Sequence, residues 1–308
     1  MILTILKTVL GLLILLAIGF LCSKLGLIDE GAEKKLTDLL LKVIQPVYLF
    51  MAYQRAFDRG LLRDFLICFA LAVAAFLAMI LISHLFFPKG SRDREVGLIV
   101  CAFPNVGFMG IPLISGIYGT EGVFFLTTMI TVFNVLIWTY GIIVMSGDHG
   151  HLRDTGKRLL SPALIAIAVG LVCFSLGLLV PEVVAAPLNQ LCAMHTPLAM
   201  LISGAVVARA DLGRGLKDLM VYKISFLRML LLPAAVALLL FWLPVDPRLI
   251  TIVVLSSGFS AGSIPLMLCI RYGKNSILAG ECLALTSVLS VVTTPLVYLL
   301  LNLLMGAV

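Results

Sequence analysis

The sequence predicts an all-α, polytopic membrane protein whose ten transmembrane helices form two five-helix repeats of inverted topology. Composition is the first observation behind this class: 61% of the 308 residues are hydrophobic and 12% are charged, whereas a soluble domain carries about 25% charged residues. The apolar residues also fall into runs of membrane-spanning length. Finally, short motifs recur about 150 residues apart, which indicates an internal repeat.

The first five predicted spans are apolar runs close to the ~20 residues that a helix needs to cross a bilayer. They cover 3–22, 36–53, 65–87, 96–118 and 122–145. The first run resembles a signal peptide, but it continues to Cys22 and no small-x-small cleavage site follows, so we expect it to be retained. The fourth is predicted to be interrupted, because residues 103–112 within it hold two prolines and two glycines.

The last five predicted spans repeat this order. They cover 159–179, 187–207, 219–243, 249–270 and 277–304. The seventh carries His195 beside Thr196-Pro197, as the second carries Gln45-Pro46. The ninth contains a serine- and glycine-rich run and is predicted to be interrupted like the fourth.

Lysine and arginine residues in the loops predict the orientation of the spans. Fourteen lie in the odd-numbered loops and five on the opposite side, when Lys42, Lys223 and Arg228, which fall within spans, are left out. Because cytoplasmic loops carry the basic excess, the odd loops are predicted to be cytoplasmic and both termini extracytoplasmic. The net charge of +6 therefore reflects orientation, and no nucleic-acid partner is expected.

Three motif pairs indicate that one unit is used twice. Residues 24–27 resemble 175–178 at an offset of 151, Gln45-Pro46 resembles Thr196-Pro197 at the same offset, and Pro112 matches Pro265 at 153. Since five spans are an odd number, the second copy must enter from the opposite side. The predicted units are a first repeat at 1–146, a cytoplasmic linker at 147–158 and a second repeat at 159–308. Chance similarity between apolar helices is the alternative.

The two interruptions predict a ligand site. Residues 103–112 contain two prolines, two glycines and an asparagine, and residues 256–265 contain four serines and two glycines. A second half-helix is expected to begin near Ile111 and near Ile264, because proline suits the first turn of a helix. Each helix N-terminus carries about half a positive charge, so two that meet would attract an anion. A packing kink without a ligand is the alternative.

The candidate substrate-binding residues lie at these breaks or are polar residues on neighbouring spans. They are Gln45, Pro104, Asn105, Gly107, Gly110, Ile111, Pro112, Asn134, Ser260, Gly262, Ser263 and Pro265. For Gln45 and Asn134, a helix–helix hydrogen bond is the alternative.

Two titratable residues within spans are candidates for proton coupling. His195 would change its charge near neutral pH, and an intramembrane carboxylate such as Glu281 is a functional candidate by default. A neutral histidine at a helix kink and a pairing of Glu281 with Arg271 or Lys274 are the alternatives.

Several classes of protein lack support in the sequence. There is no HExxH, GxSxG or Walker motif, so neither an enzyme nor an ATP-driven pump is expected. The seven cysteines show no metal-ligand spacing and are predicted to pack between helices, so no metal and no cofactor is expected.

Residues 103–113, with Pro104-Asn105 followed by Met109-Gly110-Ile111-Pro112-Leu113, resemble the fourth-span motif of the auxin efflux carrier family. That family includes bacterial malate permeases and the plant PIN-type auxin carriers. Tyr118-Gly119, Ser161-Pro162 and 270–273 are similar to further family features. The ninth-span break departs from the family pattern, and the long cytoplasmic loop of many plant members is absent.

The resemblance implies a fold with two crossed, broken helices, the fourth and the ninth, as in sodium/proton antiporters and bile-acid-type symporters. Spans 1, 2, 6 and 7 would form a scaffold, and spans 3–5 and 8–10 a transport domain. It also implies that Asn105 contacts substrate, that Asn134, four residues before Trp138, is a polar site residue, and that the protein forms a homodimer.

We therefore expect a secondary transporter in the cell (inner) membrane that moves a small organic anion, such as malate or an auxin-like acid, by alternating access. Its partners would be the anion, the lipid bilayer and a second copy of the chain. A sodium-coupled symporter of the bile-acid type, in which unwound carbonyls hold sodium, and a non-transporting membrane receptor are the alternatives.

Overall fold

The computed structural model describes residues 2–147, 161–209 and 217–304, and every regular element within these ranges is a helix. All but Gly147 of the predicted linker at 147–158 therefore lies outside the described residues. The helices are α1 (Ile2–Lys24), α2 (Glu30–Leu39), α3 (Gln45–Met51), α4 (Arg59–Phe86), α5 (Arg94–Ala102), α6 (Ile111–Leu136), α7 (Ile142–Ser146), α8 (Pro162–Ser175), α9 (Glu182–Arg209), α10 (Leu219–Phe226), α11 (Leu232–Leu240), α12 (Pro247–Ser257), α13 (Ser263–Arg271) and α14 (Ser276–Leu304).

Five continuous helical stretches among the described residues are long and apolar enough to cross a membrane. They are Arg59–Phe86, Val106–Ser146, Glu182–Arg209, Leu219–Leu240 and Ser276–Leu304. Together with the shorter apolar helices Leu10–Lys24, Pro162–Ser175 and Pro247–Ser257, they make this a multi-pass membrane protein. The number of continuous stretches is lower than the number of predicted spans, partly because the two predicted broken spans are divided into short halves.

The longest stretch, Val106–Ser146, has 41 residues and contains one turn. At Gly119 the backbone has φ 64° and ψ −156°, a conformation that is open to glycine and strained for other residues. The helix is therefore kinked at Gly119, and the stretch consists of two helical segments that meet there.

Proline produces wide turns in three of the helices. The π-helical turns Leu40–Ile44, Val106–Gly110 and Leu227–Leu231 each end two residues before a proline, namely Pro46, Pro112 and Pro233. Proline has no N–H to donate to the preceding turn and its ring crowds the carbonyl there, so the turn widens. A fourth π-helical turn, Ile137–Gly141, has no proline after it.

Helix ends recur at the offsets of the sequence motifs. After α1 the Leu27 N–H donates to the Cys22 carbonyl at 2.9 Å, and after α8 the Leu178 N–H donates to the Cys173 carbonyl at 2.8 Å. The glycines between them, Gly26 and Gly177, both have positive φ. This is the glycine-ended helix cap in both places, 151 residues apart, so the repeated sequence motif encodes a repeated backbone geometry.

The helices are grouped here as the predicted scaffold and the predicted transport domain. We call α1–α3, α8 and α9 the first helix group, and α4–α7 with α10–α14 the second helix group. Among the described residues, the ion pairs between different helices or loops stay within one group: Glu33–Arg209 in the first, and Arg92–Asp218, Glu121–Arg248 and Glu95–Lys274 in the second.

Neutral hydrogen bonds join the two groups near the Met51 end of α3. The Tyr48 hydroxyl donates to Ser115 Oγ at 3.0 Å, and the Tyr53 hydroxyl and Thr127 Oγ1 lie 2.5 Å apart. The Tyr53 ring also packs against Phe124, with ring centroids 5.1 Å apart. Contact between the groups is thus dense and polar at this end.

Candidate functional site

The two interrupted spans cross each other at their breaks. The extended segments that follow α5 and α12 run antiparallel, with Pro104 paired to Ala261. The Asn105 N–H donates to the Ser260 carbonyl at 2.9 Å, and the Gly262 N–H donates to the Phe103 carbonyl at 3.4 Å. The crossing therefore satisfies backbone groups that the broken helices leave free, as is needed where water is absent.

Side chains from the second helix group hold the crossing in place. The Ala261 N–H donates to Thr286 Oγ1 on α14 at 3.0 Å. The Phe259 ring is buried and lies against Gly110, where a methyl group would be 3.0 Å from a ring carbon. Gly110 therefore allows the two broken spans to approach closely, and it is a packing residue of the crossing.

The second half-helices begin close to the crossing itself. The first starts at Val106, with the Asn105 side chain accepting a hydrogen bond from the Phe108 N–H at 3.3 Å, and the second starts at Ser263 after Gly262. The regular α-helix α6 begins at Ile111 as expected, with Pro112 in its first turn, but the π-helical turn Val106–Gly110 precedes it, so the helical stretch starts five residues earlier.

A cavity of about 280 Å³ lies on one side of the crossing. Residues at both half-helix N-termini line it. At the first N-terminus the Val106 N–H donates to the Pro104 carbonyl at 2.9 Å and the Phe108 N–H to Asn105 Oδ1 at 3.3 Å, so this end offers the cavity mainly the positive end of the helix dipole. Seven of the predicted binding residues line this cavity: Gln45, Pro104, Asn105, Gly107, Asn134, Gly262 and Ser263.

Two polar atoms at this cavity lack hydrogen-bond partners among the described residues. They are Gln45 Oε1 and Trp138 Nε1, both buried. Asn134 Nδ2 donates to the Ile130 carbonyl at 2.8 Å, which accounts for one of its N–H groups. A buried polar group without a partner costs free energy. These side chains are therefore suited to hydrogen bonds with a guest molecule.

Lys42 is the charged side chain that lines the described part of this cavity. Its Nζ lies 2.8 Å from Asp38 Oδ2, and both side chains are more than half exposed. It therefore stands at the mouth of the cavity rather than inside it. Neither Lys42 nor Trp138 is among the site residues that the sequence predicts, because a lysine near the end of a span and a tryptophan in an apolar helix are common in membrane proteins.

A second, smaller cavity of about 40 Å³ lies on the other side of the crossing. Asn105 lines both cavities, and Ser260, also predicted as a binding residue, lines the smaller one with Ser203, Ser287 and Ser290. Asn134 in the larger cavity and Ser287 in the smaller one are 153 residues apart, the offset of the two prolines. The crossing thus lies between two largely apolar pockets, each with polar side chains beside it.

The remaining predicted site residues do not line either cavity. Ile111, Pro112 and Pro265 are buried in the helix packing behind the crossing. His195 is 0% exposed, with its ring centroid 5.3 Å from that of Tyr48 and no partner for either ring nitrogen among the described residues. Glu281 is buried on α14, away from both cavities.

Arg228 is the largest of the fully buried side chains in the described part of the chain, with 0% exposure. Its Nε donates to the Phe259 carbonyl at 3.0 Å and its Nη2 to the Ser257 carbonyl at 2.5 Å. Its Nη1 donates to the Cys101 carbonyl and approaches Met79 Sδ at 3.8 Å. Arg228 is not among the site residues that the sequence predicts, although an arginine within a span is by itself a signal of function.

Comparisons with known proteins agree with this architecture. A family model described as "Membrane transport protein" matches the chain twice, at residues 4–155 and 152–298. An uncharacterized transporter of Methanothermobacter thermautotrophicus is 25% identical over 295 residues, which is 94% of this chain and 96% of that protein. An uncharacterized transporter of Methanocaldococcus jannaschii is 28% identical over 211 residues, 64% of this chain and 67% of that protein.

Proposed function

The chain belongs to the membrane transport protein family, the auxin efflux carrier family that its fourth-span motif resembles, and we propose that it is a secondary transporter that moves a small organic anion. The proposal extends the family membership, which makes it a membrane transporter, to a class of substrate and a mechanism. It assigns the larger cavity as the binding site.

The observation that carries the proposal is the sign of the potential in that cavity. Two helix N-termini face it, each with about half a positive charge. Lys42 at its mouth is paired with Asp38 and adds little net charge. None of the lining residues in the described part of the chain is acidic. N–H donors and a positive potential without a carboxylate favour a carboxylate guest.

The size and lining of the cavity favour a small molecule with an apolar part. A volume of about 280 Å³ is at the low end of small-molecule pockets, which span ~300–1,000 Å³. Phe108, Ile130 and Phe133 supply apolar surface beside Asn105 and Trp138. The carboxylate would lie at the N–H groups near Asn105 and Ser263, with the rest of the molecule against the aromatic side.

The two cavities support transport by alternating access. A site enclosed between inverted repeats can open to either side in turn when one helix group moves against the other. We propose ten spans in two inverted repeats, with the first helix group as scaffold and the second as the moving unit. The recurring helix caps at Gly26 and Gly177 support the repeat.

The proposed orientation follows the basic loops, with both termini extracytoplasmic and the protein in the cell (inner) membrane as a homodimer. In this orientation Ser161, at the start of α8, lies toward the cytoplasm. The larger cavity, which Ser161 lines, would then open inward, and the hydrogen bonds near the Met51 end of α3 would close the outer side. The arrangement corresponds to an inward-facing state.

The test is counterflow of radiolabelled mono- and dicarboxylates in proteoliposomes. Asn105→Ala should raise the substrate concentration for half-maximal transport by about tenfold, since it removes a hydrogen bond worth ~1–1.5 kcal/mol at the crossing. Asn189→Ala, at an exposed position on α9 away from both cavities, is the matched control and should transport normally.

Two results would contradict the proposal. Transport by folded Asn105→Ala at the wild-type affinity would remove this residue from the site. Stabilisation of the wild-type protein by carboxylates without any counterflow would instead favour a membrane receptor.

A further inference from the structure

Arg228 connects the ends of the two first half-helices. The Cys101 carbonyl belongs to the last turn of α5, and the Ser257 carbonyl belongs to the last turn of α12. The same guanidinium donates to both and to the Phe259 carbonyl in the break. In the described part of the chain its hydrogen-bond partners are backbone carbonyls and one sulfur, and none is a carboxylate.

The charges at this place balance without an ion from solution. The C-terminal end of a helix carries about half a negative charge, so the ends of α5 and α12 together contribute about one negative charge. The guanidinium contributes one positive charge, and its planar donors reach several carbonyls at once. A buried cation without such partners would be expelled or neutralised, so this pairing explains why Arg228 is tolerated at 0% exposure.

The same carbonyls are the oxygens that a coupling cation would need. In a sodium-coupled symporter with broken helices, unwound carbonyls and half-helix C-terminal ends coordinate the ion. Here those oxygens already accept hydrogen bonds from Arg228.

We propose that Arg228 is a built-in counter-cation that occupies the carbonyl site at the crossing, so that this protein binds its anion without sodium. The inference about coupling rests on the proposed function, whereas the occupancy of the carbonyl site does not. Arg228 would act through the crossing as a positioning residue. It holds the two half-helix ends together while the N-termini on the other side remain free for the anion.

The first experiment uses the wild-type protein. Carboxylate-dependent stabilisation and counterflow are measured in sodium, potassium and choline chloride at equal ionic strength. We expect the same affinity in all three salts, within twofold. A sodium-specific rise in affinity or in the melting temperature Tm of the wild-type protein would overturn the proposal.

The second experiment opens the site by replacing Arg228 with Ala. Loss of a buried, fully paired charge should lower Tm by roughly 10 °C. Sodium or guanidinium ions at millimolar, non-denaturing concentration should restore part of this loss, and choline, which is too large, should not. Arg228→Lys keeps the charge and should retain sodium independence. Arg63→Ala, an exposed arginine, is the matched control and should show no cation effect.

The two experiments distinguish a failure of this inference from a failure of the proposed function. Thermal rescue needs no anion, so it is informative even if no carboxylate is transported. A folded Arg228→Ala variant that no small cation restores would overturn the assignment of the carbonyl site. If that variant does not fold, the salt comparison on the wild-type protein decides.

Discussion

Gly19 and Gly204 bring the backbones of α1 and α9 into direct contact. A methyl group on Gly204 would overlap the Leu16 carbonyl, and one on Gly19 would overlap the Leu201 carbonyl. In lipid, helices associate through such close packing rather than through a hydrophobic drive. These two glycines therefore set the distance between the helices at the centre of the first helix group.

Replacement of Gly204 by Ala should be strongly destabilising. We expect the free energy of unfolding to fall by about 1–3 kcal/mol, because the added methyl group forces the two backbones apart. Gly11→Ala on α1 is the matched control, since nothing lies within 4 Å of the added atom. Its stability should be unchanged or slightly raised. Thermal unfolding in detergent measures both, and an equal response of the two variants would contradict this role of Gly204.

At the residue scale, sequence reasoning found side chains at the breaks better than side chains around them. Asn105 and Ser263 stand out because polar and glycine-rich runs are costly inside a span. Trp138 does not stand out, because a tryptophan in an apolar helix is common and only the fold shows which cavity it faces. Arg228 was visible in the sequence, but its partners are backbone carbonyls, which no side-chain pattern reveals.

At the scale of helices, proline widens a membrane helix more readily than it ends it. Pro46, Pro112 and Pro233 each follow a π-helical turn within a helix that continues beyond them. Extended backbone occurs instead at Pro104 and at residues 260–262, where a second chain segment supplies hydrogen bonds. A helix is thus interrupted where another chain segment can accept or donate the hydrogen bonds that the interruption frees. The sequence alone does not show which segment that is.

The backbone conformation of the kink at Gly119 in α6 can be tested by substitution. Its φ and ψ lie where both Ala and Asn are strained, whereas Gly147, with φ 70° and ψ 4°, is in the left-handed region that Asn tolerates. Gly119→Ala and Gly119→Asn should each cost about 1–3 kcal/mol. Gly147→Asn should cost less than Gly147→Ala. Thermal unfolding of the four variants would refute the argument if Asn were tolerated equally at both glycines.

At the scale of the whole molecule, the class and the family followed from composition and one motif. The apolar share and the fourth-span motif predicted a helical, multi-pass protein of the family that the comparisons show. The number of spans and their orientation are harder to obtain, since the halves of a broken span resemble short helices and neither the sequence nor the fold marks the two faces of the membrane. The recurring caps indicate a repeat, but the side of each loop stays a prediction.

The orientation is testable with single cysteines in a variant that lacks the seven native ones. Ala56→Cys and Lys89→Cys place exposed thiols in the loops before and after α4. By the positive-inside rule the first should be extracytoplasmic and the second cytoplasmic. A membrane-impermeant maleimide on intact cells should label the Ala56→Cys protein at once and the Lys89→Cys protein only after permeabilisation. The reverse pattern would invert the proposed topology.

The ion pairs between helices have a mechanical consequence, because among the described residues they all stay within one helix group. Sliding of one group past the other would then break no ion pair between helices. A charged side chain that would lose contacts with α6 is Arg55, which donates to Thr120 Oγ1 at 3.4 Å and lies over the Phe124 ring. Dissolved electrolyte and lipid headgroups act on charged contacts and scarcely on neutral ones. We therefore expect them to affect the cohesion of each group more than the contact between the groups.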